Sequence, residues 1–188
     1  PVNDPAILVG RSALLLDLDG TLYPAAHHGA YLDAVRRITG MRVQELYGAS
    51  DPESAYVCLQ ADRASHGFRS DTETLERRWG IGIAEMNRFR ERWTRPSDFL
   101  APEPQVATAV ERMLASRTLI LGTNNTPALA RRILEVLEIP VGWFAAILSS
   151  EDLATAKPDE GFFRQVCQRA GLPASAFVSV GDRAASDL

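Results

Sequence analysis

The stretch Leu14-Leu15-Leu16-Asp17-Leu18-Asp19-Gly20-Thr21 constrains this chain more than any other. The unbroken apolar run from Ala13 to Leu16 reads as a strand buried on both faces, as in the middle of a parallel sheet. The strand then delivers one carboxylate, a second two residues later, and a glycine that lets the chain turn. Side chains alternate along an extended chain, so Asp17 and Asp19 can share a side. The carboxyl end of a central strand is where open α/β sheets bind their ligands. On average composition, an Asp-x-Asp-Gly-Thr string occurs by chance in well under about 1% of chains this long.

After Thr21-Leu22-Tyr23-Pro24 the strand signal disappears until about residue 117. The segment from about Ala25 to Arg95 reads as five helices. The first spans about Tyr31 to Ile38 and is closed by Gly40, and a short one follows near Val43 to Tyr47. A third starts at Asp51-Pro52, an N-cap followed by proline at the first helical position, and stops at Gly67. A fourth opens at Asp71, with Ser70 as a second capping candidate, and ends at Gly80. The fifth runs about Ile83 to Trp93. Residues 25–95 are thus expected to form an all-helical unit inserted just past the first strand.

From Pro96 the pattern changes to alternating helix and strand. Helices are expected at about 105–114, 126–137 and 159–170, and strands at 118–121, 144–148 and 177–180. Strands separated by helices of this length imply a parallel, right-handed βαβ sheet. The expected fold class is therefore α/β, a Rossmann-like parallel sheet with helices on both faces plus the helical insertion. Its core takes residues 1–24 and 96–188. The sequence ends just after a strand-to-helix turn and starts without Met, so a further helix and edge strand are expected beyond Leu188.

In such a sheet all strand ends lie along one edge. Asp17 and Asp19 follow the first strand, Thr123-Asn124-Asn125 the second, Lys157-Pro158 comes after the third, and Gly181-Asp182 with Asp187 follow the fourth. A phosphomonoester dianion beside these acids would meet repulsion of about 4 kcal/mol per charge pair at about 4 Å and an effective dielectric near 20. Such a site binds phosphate only if cations neutralise it. Hard oxygen donors without His or Cys in the four segments suit Mg²⁺, and Lys157 adds positive charge. Lys157 is the only lysine in a chain whose other basic residues are arginines, which suits a position that needs a compact ammonium. Asp17 is the expected nucleophile. Asp19 is the expected acid and base, which calls for a raised pKa and less exposure than its neighbour. Thr123 and Asn124, with the helix N-terminus that follows, are the expected phosphate ligands.

Asp-Leu-Asp-Gly-Thr, the strand ending in Thr-Asn, Lys-Pro with Phe162-Phe163 downstream, and Gly-Asp-x-x-x-x-Asp resemble the four motifs of the haloacid dehalogenase superfamily, in its order. The helical insertion is similar to the cap of the family's first cap class. The resemblance implies an enzyme with a magnesium ion held by the Asp17 side chain, the Asp19 backbone carbonyl and the Asp182 side chain, with Asp187 in support. It further implies catalysis by Asp17, Asp19 and Lys157, and an aspartyl-phosphate intermediate. Asp-Leu-Asp-Gly-Thr-Leu-Tyr-Pro resembles the pyrimidine 5′-nucleotidase-like branch, although His66-Gly67 stands where that branch often has Tyr-Gly. Candidate cap specificity residues are His27, His28, Tyr31, Arg63 and His66.

The reading is a Mg²⁺-dependent phosphatase of small phosphate monoesters such as nucleotide or sugar phosphates. Asp19 favours it over a dehalogenase, whose halide leaving group needs no proton. A phosphomutase shares the same core. A phosphoacceptor switch resembling receiver domains would place its acidic pair near the start and its acceptor Asp mid-chain, without a large helical insertion. A non-catalytic binding role is compatible with the same motifs. The net charge of −4 and pI near 5.4 argue against nucleic-acid polymers or a membrane surface as partners. No apolar run approaches the roughly 20 residues that span a bilayer. Cys58 and Cys167 are expected as small buried residues, and the partner is expected to be a small phosphorylated metabolite, for a cytoplasmic monomer or homodimer. An exposed Trp79 or Trp93 would mark a dimer face.

Overall fold

The computed structural model describes residues 10–23, 25–68 and 70–182, with only the backbone of residues 25–28. Four strands form one parallel sheet in the order β3-β2-β1-β4. They are β1 (Ala13–Leu16), β2 (Thr118–Thr123), β3 (Ala146–Ser149) and β4 (Phe177–Val180). The apolar run of β1 is buried along its whole length, as a central strand covered on both faces requires. Leu15, Ile120 and Leu148 share one face with Phe162 and Val166 of the helix α8 (Glu160–Ala170). Leu14, Leu16, Leu119 and Leu121, also buried, alternate to the other face. A Cβ on Gly122 of β2 would lie 2.7 Å from Leu15 Cδ1, so glycine here is the condition for Leu15 and Phe162 to pack over the strand.

The remaining helices are α1 (Ala25–Tyr47), α2 (Pro52–His66), α3 (Asp71–Trp79), α4 (Ile83–Trp93), α5 (Pro104–Leu114), α6 (Pro127–Val136) and the short α7 (Ser150–Leu153). Two compact units are present, residues 1–28 with 96–188, and residues 29–95. The parallel α/β sheet matches the expectation, with β1 and β4 at the predicted positions. β2 runs two residues further, to Thr123. β3 begins at Ala146 because a 3-10 turn, Val141–Trp143, delays the extended chain. The turn of α7 was not expected. It is held by a capping box in which Ser149 and Asp152 satisfy each other's backbone N–H groups.

In the helical unit the largest departure from the sequence reading is α1. It is one continuous helix through Gly40 rather than two helices separated there, so four helices replace the expected five. Gly40 is not a terminator but a contact point, since a Cβ on it would lie 1.9 Å from the Pro52 carbonyl oxygen. The N-terminus of α2 can approach α1 only because no side chain intervenes. The expected punctuation of α2 and α3 is present. Asp51 and Ser70 accept from Ser54 N and Glu73 N, and Gly67 and Gly80 close the helices in the left-handed conformation. Val43, Ala55, Leu59, Leu75, Ile81 and Met86 form the core of this unit.

Cys58 corrects the expectation of burial, because it is exposed on α2, whereas Cys167 is half-buried. Trp93 is exposed and Trp79 half-buried. Among the described residues no helix is long and apolar enough to cross a membrane.

Candidate active site at the carboxyl edge of the sheet

β1 and β4 lie side by side in parallel with Leu16 opposite Val180. Asp17 and Asp182 therefore leave neighbouring strands at the same edge, and Asp17 N continues the ladder by donating to Val180 O at 2.9 Å. Gly20 closes the turn after Asp19 with φ +79°, a region that disfavours any residue with a Cβ. Such a Cβ would lie 2.6 Å from Asp182 Oδ2, so the glycine lets the β4 carboxylate reach the turn that carries Asp17 and Asp19.

Lys157 Nζ donates to Asp17 Oδ1 at 2.6 Å, and both side chains are largely closed to solvent, at 6% and 13% exposure. Burial pushes the Asp17 carboxyl up to about 6, the positive Lys157 pulls it back, and the nearby Asp19 adds a smaller upward push. The carboxylate remains the predominant form at pH 7. Asp19 is held from two directions. Tyr23 Oη donates to its Oδ1 at 2.5 Å and Asn125 Nδ2 to its Oδ2 at 2.7 Å.

The turn after β2 also sets the position of Lys157. Asn124 Oδ1 accepts from Lys157 N at 2.9 Å, and Asn124 Nδ2 donates to Lys157 O at 3.1 Å. This reciprocal pair ties the β2 end to the segment that carries the lysine. Ser150 Oγ donates to Asn124 O at 3.0 Å, which steadies the same turn from α7.

The expected phosphate ligands Thr123 and Asn124 also make contacts within the protein. Thr123 is fully buried and its hydroxyl accepts from Asn125 N at 3.1 Å, while the Asn124 side chain serves Lys157. Two residues that sequence reading did not assign to the site, Tyr23 and Asn125, fix Asp19. Tyr23 was visible only as part of Leu22-Tyr23-Pro24, and Asn125 only as the second of an asparagine pair. Asp187 lies outside the described residues, as do the side chains of His27 and His28. Among the expected cap residues Tyr31 is buried. Arg63 pairs with Asp71 at 3.1 Å, and His66 is exposed, with its ring stacked on Phe68 at 5.3 Å.

Among the described residues no three His, Cys, Asp or Glu side chains gather closely enough to hold a metal by themselves. A hard cation fits the edge in another way. Two carboxylates, Asp17 and Asp182, flank the turn that follows β1, and Gly20 leaves the room in which Asp182 approaches it. This all-oxygen set suits Mg²⁺, and its charge would relieve the burial and repulsion that raise Asp17.

A family model described as hydrolase, haloacid dehalogenase-like hydrolase, matches residues 12–188. Haloacid dehalogenase-like hydrolase domain-containing protein 3 of Danio rerio is 48% identical over 44 residues, a stretch that covers 23% of this chain and 18% of that protein. The Bacillus subtilis HAD-hydrolase YfnB, whose structure is described as bound to magnesium, superposes with a TM-score of 0.58 at 18% identity, over 94% of this chain and 80% of that one. A HAD phosphatase from Thermococcus onnurineus superposes with a TM-score of 0.58 at 16% identity, over 94% and 79% of the two chains. At such identities the superpositions show the fold.

Proposed function

The chain belongs to the haloacid dehalogenase-like hydrolase family, and from that premise we propose that it is a Mg²⁺-dependent phosphatase of small phosphate monoesters. The observation that carries this reading is the difference between its two edge carboxylates. Asp17 sits against a buried ammonium, as a nucleophile that must stay ionised would. Asp19 is fixed at both oxygens by neutral donors, as an acid and base that must be aimed would be.

An oxygen of Asp17 attacks phosphorus in line. The ester P–O bond breaks, and its electron pair leaves with the alcohol oxygen, which takes a proton from Asp19. Water then gives a proton to Asp19 as its oxygen attacks the phosphoryl group on Asp17. Phosphate leaves and the Asp17 carboxylate is restored. Lys157 offsets negative charge on the phosphoryl oxygens, which also meet the turn Thr123–Asn125. Asp17, the Asp19 backbone carbonyl and Asp182 are the residues that would hold Mg²⁺, whose charge offsets the repulsion of a phosphate dianion at this acidic edge.

The helical unit is assigned the choice of substrate, and the Leu22-Tyr23-Pro24 resemblance makes nucleoside monophosphates the first class to try. A phosphate-release screen over nucleotides, sugar phosphates and generic aryl phosphates, with and without Mg²⁺, tests the reading. Metal-dependent release is expected. Isomerised sugar phosphate with little free phosphate would show a mutase instead.

A further inference from the structure

We infer that Tyr23 and Asn125 are positioning residues that hold Asp19 for substrates with poor, alcohol-type leaving groups; this rests on the proposed phosphatase reading. Both Asp19 oxygens are engaged within the one compact unit. Tyr23 Oη reaches Oδ1 at 2.5 Å from the turn that follows β1, and Asn125 Nδ2 reaches Oδ2 at 2.7 Å from the turn after β2. Neither holder is free to wander. The Tyr23 residue is 1% exposed, and Asn125 is pinned by its own backbone N–H, which donates to Thr123 Oγ1 at 3.1 Å.

The two donors define a plane. One hydrogen bond lets a carboxylate turn about its Cβ–Cγ bond, whereas bonds to each oxygen from two different turns, after β1 and after β2, stop that rotation. A carboxylate has about four lone-pair sites, so the pair of bonds leaves each oxygen able to exchange a proton with a substrate or water. Preorganisation of this kind matters where proton transfer is part of the barrier, and a misplacement of about 1 Å can cost about 10²-fold.

The leaving group decides when that applies. An alkoxide leaving from phosphorus must gain a proton as the P–O bond breaks, and Asp19 supplies it, ending as a carboxylate. A nitrophenolate carries its charge away unprotonated. The clamp on Asp19 thus contributes to turnover of alkyl phosphates and little to that of activated aryl phosphates. It assigns the protein to esters of ordinary alcohols.

The test compares kcat/KM for a simple alkyl phosphate and for p-nitrophenyl phosphate in the wild type, Tyr23→Phe and Asn125→Ala, at saturating Mg²⁺. Either variant is expected to lose about 10- to 100-fold on the alkyl ester and less than about threefold on the aryl ester. A merely structural role would lower both esters together. Equal losses on the two esters, or no loss on either in both variants, would overturn the positioning role while leaving the phosphatase reading in place. A wild-type protein that releases phosphate from neither ester would overturn both.

Discussion

At the edge of the sheet Asp17 is pushed up to about 6 by burial, whereas at the start of α2 Asp51 is drawn down to about 2 by donors from Ser54 and Ser50. The reach of their hydrogen bonds also separates the two units. In the helical unit, Asp71 accepts from Tyr56, Gln60 and Arg63 at 2.7, 2.9 and 3.1 Å, all within 15 residues of chain. Those groups close helix ends and join α2 to α3, so their charge is spent on local structure. At the sheet edge, Lys157 reaches Asp17 across 140 residues and Asn125 reaches Asp19 across 106. Such bonds exist only once the sheet has set its register, and burial at that edge leaves the Asp17 carboxylate costly to ionise. A carboxylate raised by burial beside a single cation is a functional-site signature; one lowered by a ring of donors marks a cap.

Replacing the cation at the edge should have the largest effect. Lys157→Met is expected to lower kcat/KM by about 10²-fold. It should also move the acid limb of the pH profile to higher pH, because the main influence that lowers the Asp17 pKa is gone. Increasing Mg²⁺ should move the wild-type limb below 6. An acid limb that ignores both changes would separate Asp17 from the rate.

The second expectation concerns stability. The native state holds the Asp17 proton more tightly than the unfolded chain does. The resulting cost is absent below about pH 4, grows as pH rises, and is complete above about pH 6, where it reaches about 3 kcal/mol. Metal-free protein should therefore lose stability over that window, and Mg²⁺ should restore part of it at pH 7 but not at pH 4. Chemical denaturation with and without the ion reads this directly.

The helical unit should answer to packing rather than charge. Gly40→Ala places a methyl against the Pro52 carbonyl and is expected to cost about 1–3 kcal/mol in urea titration. The smallest effect is expected from Asp51→Ala. It removes the α2 cap, lowers the melting temperature by about 2–4 °C, and keeps phosphate release per folded molecule within about twofold. A tenfold loss of turnover in that variant would erase the distinction between the units.

The sequence carried the sheet because β1 and β4 are short apolar runs that end in polar turns, and it carried helix ends wherever Asp51, Ser70, Gly67 and Gly80 stand. Gly40 was misread because a glycine required for close approach looks like one required to stop a helix; only the Pro52 carbonyl tells them apart. Cys58 was misread because burial depends on the helix face, which one cysteine does not report. The convergence of Asp17, Lys157 and Asp182 followed from parallel strand ends alone. The bonds of Asn124 to Lys157 and of Asn125 to Asp19 did not, since which of two adjacent asparagines meets which group depends on turn geometry. Tyr23 was hidden for the same reason, its hydroxyl folding back onto Asp19 from four residues along.

The proposed reaction passes a phosphoryl group through Asp17. Acid quench during steady turnover, followed by peptide mass mapping of the wild type and of Asp17→Asn, measures this directly. One phosphoryl group on the peptide bearing Asp17 is expected, absent from the Asn variant together with at least about 10³-fold of the turnover. Turnover at the wild-type rate in Asp17→Asn, or a phosphoryl group trapped on another residue, would contradict it.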